Sequence, residues 1–179
     1  MNLKYLVVGA GAIGGCMGGY LADYGCDVTF IDVERTVKAI KEIGLKIITP
    51  RSEFIVTNAK AEVEENYHEK PDVVFICVKN YFIDSIIPLL DRICDETTIV
   101  LPLNNALDMG GKIEAKMKTK TNVIGGVAYV AVVSPAPGVV QQKMRFYRVT
   151  YGTRRGQSLP KELRTKLILM RFDMLNAGM

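Results

Sequence analysis

The stretch Val7-Val8-Gly9-Ala10-Gly11-Ala12-Ile13-Gly14-Gly15 lies between an apolar run from Tyr5 to Val8 and a helix-spaced set that includes Cys16, Met17, Tyr20 and Leu21. The run reads as a buried strand and the spaced set as a helix face. Gly9, Gly11 and Gly14 form G-x-G-x-x-G at the turn between them. In such a turn the first glycine permits the tight bend and the second lets a pyrophosphate approach the backbone. The third lets the helix pack closely on the strand. The unpaired N–H groups of Ala12 and Ile13, at the positive end of the helix, would then hold phosphate. Alone the pattern is weak. Here a strand precedes it and a helix follows. A second strand, Asp27 to Asp32, then ends in an acid at close to the expected spacing of about 20 residues.

Outward from this turn the elements alternate. Strand Lys4 to Val8 is followed by helix Ala12 to Tyr24, with Gly25 as its cap, and helix Glu34 to Ile43 follows the second strand, with Gly44 as its cap. Leu45 to Ile48 and Phe54 to Thr57 read as an inserted hairpin, and residues 59–70 as a loop or short helix. Val73 to Val78 is the most apolar strand and stops at Lys79-Asn80. A helix Tyr81 to Ile93, with Pro88 as a defect, and a strand Thr98 to Leu101 come next. After the turn Pro102-Leu103-Asn104-Asn105, a helix spans Leu107 to Met117. Val123 to Val133 is apolar and Ser134 to Gly138 is a turn cluster. Val139 to Gln142 and Arg145 to Tyr151 read as antiparallel strands, and Lys161 to Asn176 as a final helix. The expected class is α/β. It is a doubly wound, mostly parallel sheet of the Rossmann type with a late antiparallel hairpin.

The bulk properties agree with one globular domain. The chain has 179 residues, 49% hydrophobic and 23% charged, with a net charge of +4. No apolar run approaches the roughly 20 residues of a membrane span. The start goes straight into a strand, without a signal-peptide pattern, so the cytoplasm is the expected location. Cys16, Cys26, Cys77 and Cys94 form no C-x-x-C pair, and His68 is the single histidine, so neither a metal site nor a disulfide framework is expected. The basic residues between Lys143 and Arg171 are dispersed, which argues against a nucleic-acid partner.

Open parallel sheets bind ligands outside the carboxyl ends of their strands. Asp32, Lys79 and Asn105 fall at such ends. Lys79 and Asn105 have plainer readings, as a solvated edge cation and a turn former.

The chain resembles the ketopantoate reductases (2-dehydropantoate 2-reductases). Gly9 to Gly15, Asp72 to Lys79, Pro102 to Asn105 and Pro137 to Gly152 carry the resemblance. It implies reduction of a small 2-keto acid, ketopantoate, by NADP(H), with Lys79 and Asn105 at the nicotinamide and substrate end. The implied cofactor-binding set is Gly9, Gly11, Ala12, Ile13, Gly14, Asp32, Arg35, Lys79 and Asn105. Two positions depart from the family. Its members carry an arginine just after strand two, where this chain has Asp32-Val33-Glu34-Arg35, and a glycine where this chain has Ala106. A carboxylate at Asp32 favours a ribose 2′-hydroxyl over a 2′-phosphate, so the local chemistry leans toward NAD(H). By the resemblance, residues 1–179 would be a cofactor-binding domain that stops before its last strand and before the helical domain that supplies the general acid. Such a domain would be inactive alone and would associate with its own kind through the uncovered edge. Another keto- or hydroxy-acid dehydrogenase and a non-catalytic dinucleotide-binding module stay open as alternatives.

Overall fold

The computed structural model describes residues 2–179. Strand β1 (Lys4–Val8) leads into α1 (Ala12–Tyr24), β2 (Asp27–Ile31), α2 (Glu34–Ile43), β3 (Leu45–Ile48), β4 (Glu53–Val56) and β5 (Lys60–Glu62). Then come β6 (Val73–Ile76), α3 (Ile83–Ile93), β7 (Ile99–Pro102), α4 (Met109–Lys116) and β8 (Asn122–Val123). The last elements are β9 (Gly125–Tyr129), β10 (Val132–Ala136), β11 (Val139–Gln142), β12 (Arg148–Gly152) and α5 (Lys161–Asn176).

Six strands form the main sheet in the order β5-β2-β1-β6-β7-β8, and every pairing in it is parallel. The order reverses between β1 and β6, which is the switch point of a doubly wound sheet. Parallel strands covered on both faces need apolar residues at every position. In β1, Tyr5 and Val7 enter the core shared with α1 and α5, while Leu6 and Val8 enter the core shared with α3 and α4. Val73 and Phe75 of β6 alternate with Val74 and Ile76 in the same way. Close helix packing on the first face is a property of α1. A Cβ on Gly18 would lie 2.5 Å from the Phe30 ring.

A second sheet, β10-β11-β3-β4, lies against α1, and β9 with β12 makes a separate ribbon. Three sequence expectations change here. The polar stretch 59–70 contains β5, which pairs in parallel with β2 through Thr29 to Ile31. Val139 to Gln142 does not pair with the following strand. It pairs antiparallel with β10 and parallel with β3, while β12 pairs with β9. The late hairpin is therefore β10–β11. The expected turn cluster shrinks to Pro137-Gly138, because Ser134 to Ala136 belong to β10. Pro88 is accommodated inside an unbroken α3.

Candidate functional site

A cleft of about 1450 Å³ opens outside the carboxyl ends of β1, β2 and β6. Its floor is the glycine turn. Gly9 sits at φ +100, and a Cβ there would lie 2.9 Å from Val78 N. Both facts require glycine. A Cβ on Gly14 would lie 2.8 Å from Val7 Cγ1 and 2.8 Å from Cys77 Cβ, so α1 seats on β1 and β6 only with glycine there. Gly11 is different. Its φ is an ordinary −73, and a Cβ on it would meet nothing within 4 Å. The fold makes no demand for glycine at Gly11, and the free space lies in the cleft. Gly11 is also the N-cap of α1 and offers no side-chain hydrogen bond, so the first-turn N–H groups have no side-chain cap.

Asp32 is half-buried at the end of β2. Its Oδ2 accepts from Ala10 N at 2.7 Å and its Oδ1 from Val33 N at 2.8 Å. The carboxylate therefore braces the glycine turn, keeps acceptor capacity on both oxygens, and lines the cleft. Arg35 is exposed in the first turn of α2, lines the same cleft and joins no ion pair among the described residues. Nearby cations are engaged: Lys38 meets Glu42 at 3.8 Å, and Lys41 meets Glu62 at 2.9 Å. Lys79 is exposed at the cleft margin, three residues beyond β6. Cys77 beside it stays a thiol, because burial pushes its pKa up to about 12.

The structure thus brings Gly9, Gly11, Ala12, Ile13, Asp32, Arg35 and Lys79 onto one cleft, with Gly14 beneath it. Asn105 is not among the lining residues and is exposed. Its neighbour Asn104 turns inward, where Nδ2 donates to the Val78 carbonyl and Oδ1 is buried without a partner among the described residues. The Asn104-Asn105 doublet was the available signal, and spacing alone does not say which amide faces in. Two aromatic residues were also missed. Tyr81 and Phe82 line the cleft, are 71% and 51% exposed, and hold their ring centroids 4.6 Å apart. Large exposed rings at a cleft mouth, directly after the strand-end lysine, were a readable signal.

Known proteins with this pattern are consistent. Residues 5–156 match the family described as Ketopantoate reductase PanE/ApbA. A 2-dehydropantoate 2-reductase of Pyrococcus horikoshii is 34% identical over 143 residues, which is 80% of this chain and 45% of that protein. A 2-dehydropantoate 2-reductase structure from Geobacter metallireducens superposes with a TM-score of 0.82 at 26% identity, covering 98% of this chain and 56% of that one. D-mandelate dehydrogenase, solved with NADH and anilino(oxo)acetate, shares the fold with a TM-score of 0.82 at 21% identity, over 98% of this chain and 55% of that one. The chain spans about half the length of the curated relatives it matches. With the glycine turn, the switch-point cleft and the match over most of its length, the chain belongs to the ketopantoate reductase family.

Proposed function

We propose that residues 1–179 are the dinucleotide-binding part of an NAD(P)H-dependent 2-keto acid reductase, with ketopantoate as the substrate and pantoate as the product. The observation that carries the proposal is Gly11. It is a glycine that the fold does not need, at an uncapped helix start, facing a cleft large enough for a dinucleotide. The first-turn N–H groups of α1 would hold the pyrophosphate. Asp32 would accept from the adenosine ribose. The bound nicotinamide supplies the hydride. Lys79, an ammonium without a carboxylate partner among the described residues, would orient the keto acid and polarise its carbonyl. Asn105, exposed on the β7 side, would have to turn toward the substrate to share that work.

Asp32 and Glu34 are fixed negative charges at the ribose end, and Lys38 and Lys41 are engaged by carboxylates. Both features favour NADH, as does the NADH held by the D-mandelate dehydrogenase of the same fold. Arg35 is the group that could accept a 2′-phosphate. The test is titration of the chain with NADH and NADPH by nicotinamide fluorescence, with NADH expected to bind more tightly. Arg35→Ala should weaken NADPH by about tenfold, the scale of one charge-assisted contact, and leave NADH unchanged. Binding of neither nucleotide would overturn the proposal. In a full-length protein, turnover across a panel of 2-keto acids separates ketopantoate from its analogues.

A further inference from the structure

The segment that carries Lys79 leaves the β6 ladder before it reaches the cleft. Cys77 N donates to Val8 O at 2.8 Å and Leu103 N to Ile76 O at 2.9 Å, and these are the last ladder bonds at the end of β6. The next backbone bond along the chain is Phe82 N to Lys79 O at 2.8 Å, which opens a one-turn 3-10 helix, Asn80–Phe82. Between them lies Val78, with a peptide group on either side of it. Its amide side is in contact with the glycine turn, since a Cβ on Gly9 would lie 2.9 Å from Val78 N and 3.0 Å from Cys77 C. Its carbonyl side is held by Asn104 Nδ2. Asn104 itself lies two residues beyond β7 and outside the cleft lining.

We infer that Asn104 is a positioning residue, which by holding the Val78 carbonyl sets the peptide that presents Lys79 to the cleft. The inference rests on the reading of the cleft as a dinucleotide site. Asn104 acts from behind the floor. It joins the loop after β7 to the loop after β6 at the Val78–Lys79 peptide, and the Gly9 turn after β1 packs on the preceding Cys77–Val78 peptide. The ends of β1, β6 and β7 thereby meet at the two peptides that flank Val78. The orphaned Oδ1 points the same way. A buried acceptor without a donor is a poor choice for stability alone, whereas the Nδ2 donor of the same amide is in use. An apolar side chain of similar size would remove the orphan at the cost of the donor to the Val78 carbonyl, so stability should change little while positioning is lost.

The experiment is a double-mutant cycle on the 179-residue chain, reading NADH affinity by fluorescence and unfolding by circular dichroism. Asn104→Leu should change the thermal midpoint little and weaken NADH by about tenfold, the usual scale of coupling between residues in contact. Lys79→Ala should also weaken NADH. If Asn104 works through Lys79, adding Asn104→Leu to Lys79→Ala should cost little more than the worse single change. Should the leucine variant fail to fold, Asn104→Ala is read in the same way. Fully additive losses, or a folded Asn104 variant that binds NADH as the parent does, would overturn the inference while leaving the dinucleotide reading intact. A parent chain that binds neither NADH nor NADPH would remove both.

Discussion

At the scale of single residues, the three glycines of the turn have three different causes, and only two of them are structural. Gly9 and Gly14 are demanded by backbone conformation and by contacts with Val78, Val7 and Cys77. Gly11 is demanded by nothing among the described residues. Substituting Gly11 by valine should therefore leave the far-ultraviolet spectrum and the thermal midpoint nearly unchanged. It should reduce dinucleotide affinity at least about a hundredfold, because the side chain would occupy the space where backbone and pyrophosphate must meet. A folded Gly11→Val chain with parental affinity would show that the open space is not a phosphate seat. The thiols give a second residue-scale expectation. Burial raises Cys16, Cys77 and Cys94 to about 12 and Cys26 to about 11, from 9.0 in water. A raised value in the fold means the unfolded chain releases these protons first. The stability linked to them is complete below pH 9 and is lost progressively as pH rises from 9 toward 12. The buried tyrosines Tyr5, Tyr67 and Tyr147 shift in the same direction, again mainly through burial. Under reducing conditions the thermal midpoint should be level from pH 7 to about 8.5 and fall beyond 9, and a midpoint unchanged at pH 11 would contradict this.

Among elements, α5 is fastened in an unusual way. Lys166, 6% exposed on its inner face, reaches Asp72 Oδ1 at 2.7 Å and Thr97 O at 2.8 Å. Asp72 Oδ2 in turn accepts from Lys4 N at 2.9 Å, so one ammonium ties the helix to the amino ends of β1, β6 and β7. Lys166→Met would leave Asp72 and the Thr97 carbonyl short of a donor and should cost about 2–3 kcal/mol in urea unfolding. That is below the roughly 3–5 kcal/mol for breaking a fully buried pair, since Asp72 retains some solvent contact. Lys166→Met with Asp72→Asn should recover part of the loss, because no unpaired charge remains. The sequence shows Leu163, Met170 and Met174 on this face by their spacing, but the lysine among them reads as surface. The same limit explains what else was legible. α1, α2, β1, β3 and α5 agree with the expected bounds to the residue, because each is set by a local pattern and a local stop such as Gly25 or Gly44. Strand β5 was invisible because Lys60 to Glu62 is polar at two of three positions and owes its form to pairing with β2. The β10–β11 pairing was missed because Ser134-Pro135-Ala136 reads as turn, and the β3–β11 and β9–β12 pairings because strands distant in sequence leave no local trace. At the site, strand-end polar residues were readable from topology, but the inward turn of Asn104 over Asn105 depends on tertiary packing.

For the whole molecule, the remaining question is what its exposed apolar surface does. α5 carries apolar residues on two sides. The inner side is buried, and Ile168, Phe172 and Leu175 form an outer stripe at helical spacing, each more than half exposed. A helix with two apolar sides ordinarily has cover on both. Close to this stripe, a groove of about 650 Å³ runs between the end of α5 and β12, with Phe146, Arg148, Arg171 and Leu175 along it. Among the described residues strand β12 pairs only with β9, so its other edge is left without a strand partner. Unpaired edges beside apolar surface favour pairing with a second chain. We therefore expect the 179-residue chain to self-associate in solution through α5 and the β12 edge. The contact available is a few side chains and one short strand, well below the area of a permanent dimer. The dissociation constant should be on the order of micromolar or weaker, and the mass seen by light scattering should rise with concentration. Phe172→Glu places a charge in the middle of the stripe at a site already open to water. It should return the chain to a monomer at every concentration with little change in thermal midpoint, because that ring contributes little to the folded monomer. A parent chain that scatters as a monomer up to the highest concentration reached would show that this face has no affinity for itself. A Phe172→Glu chain that associates as the parent does would move the contact away from α5.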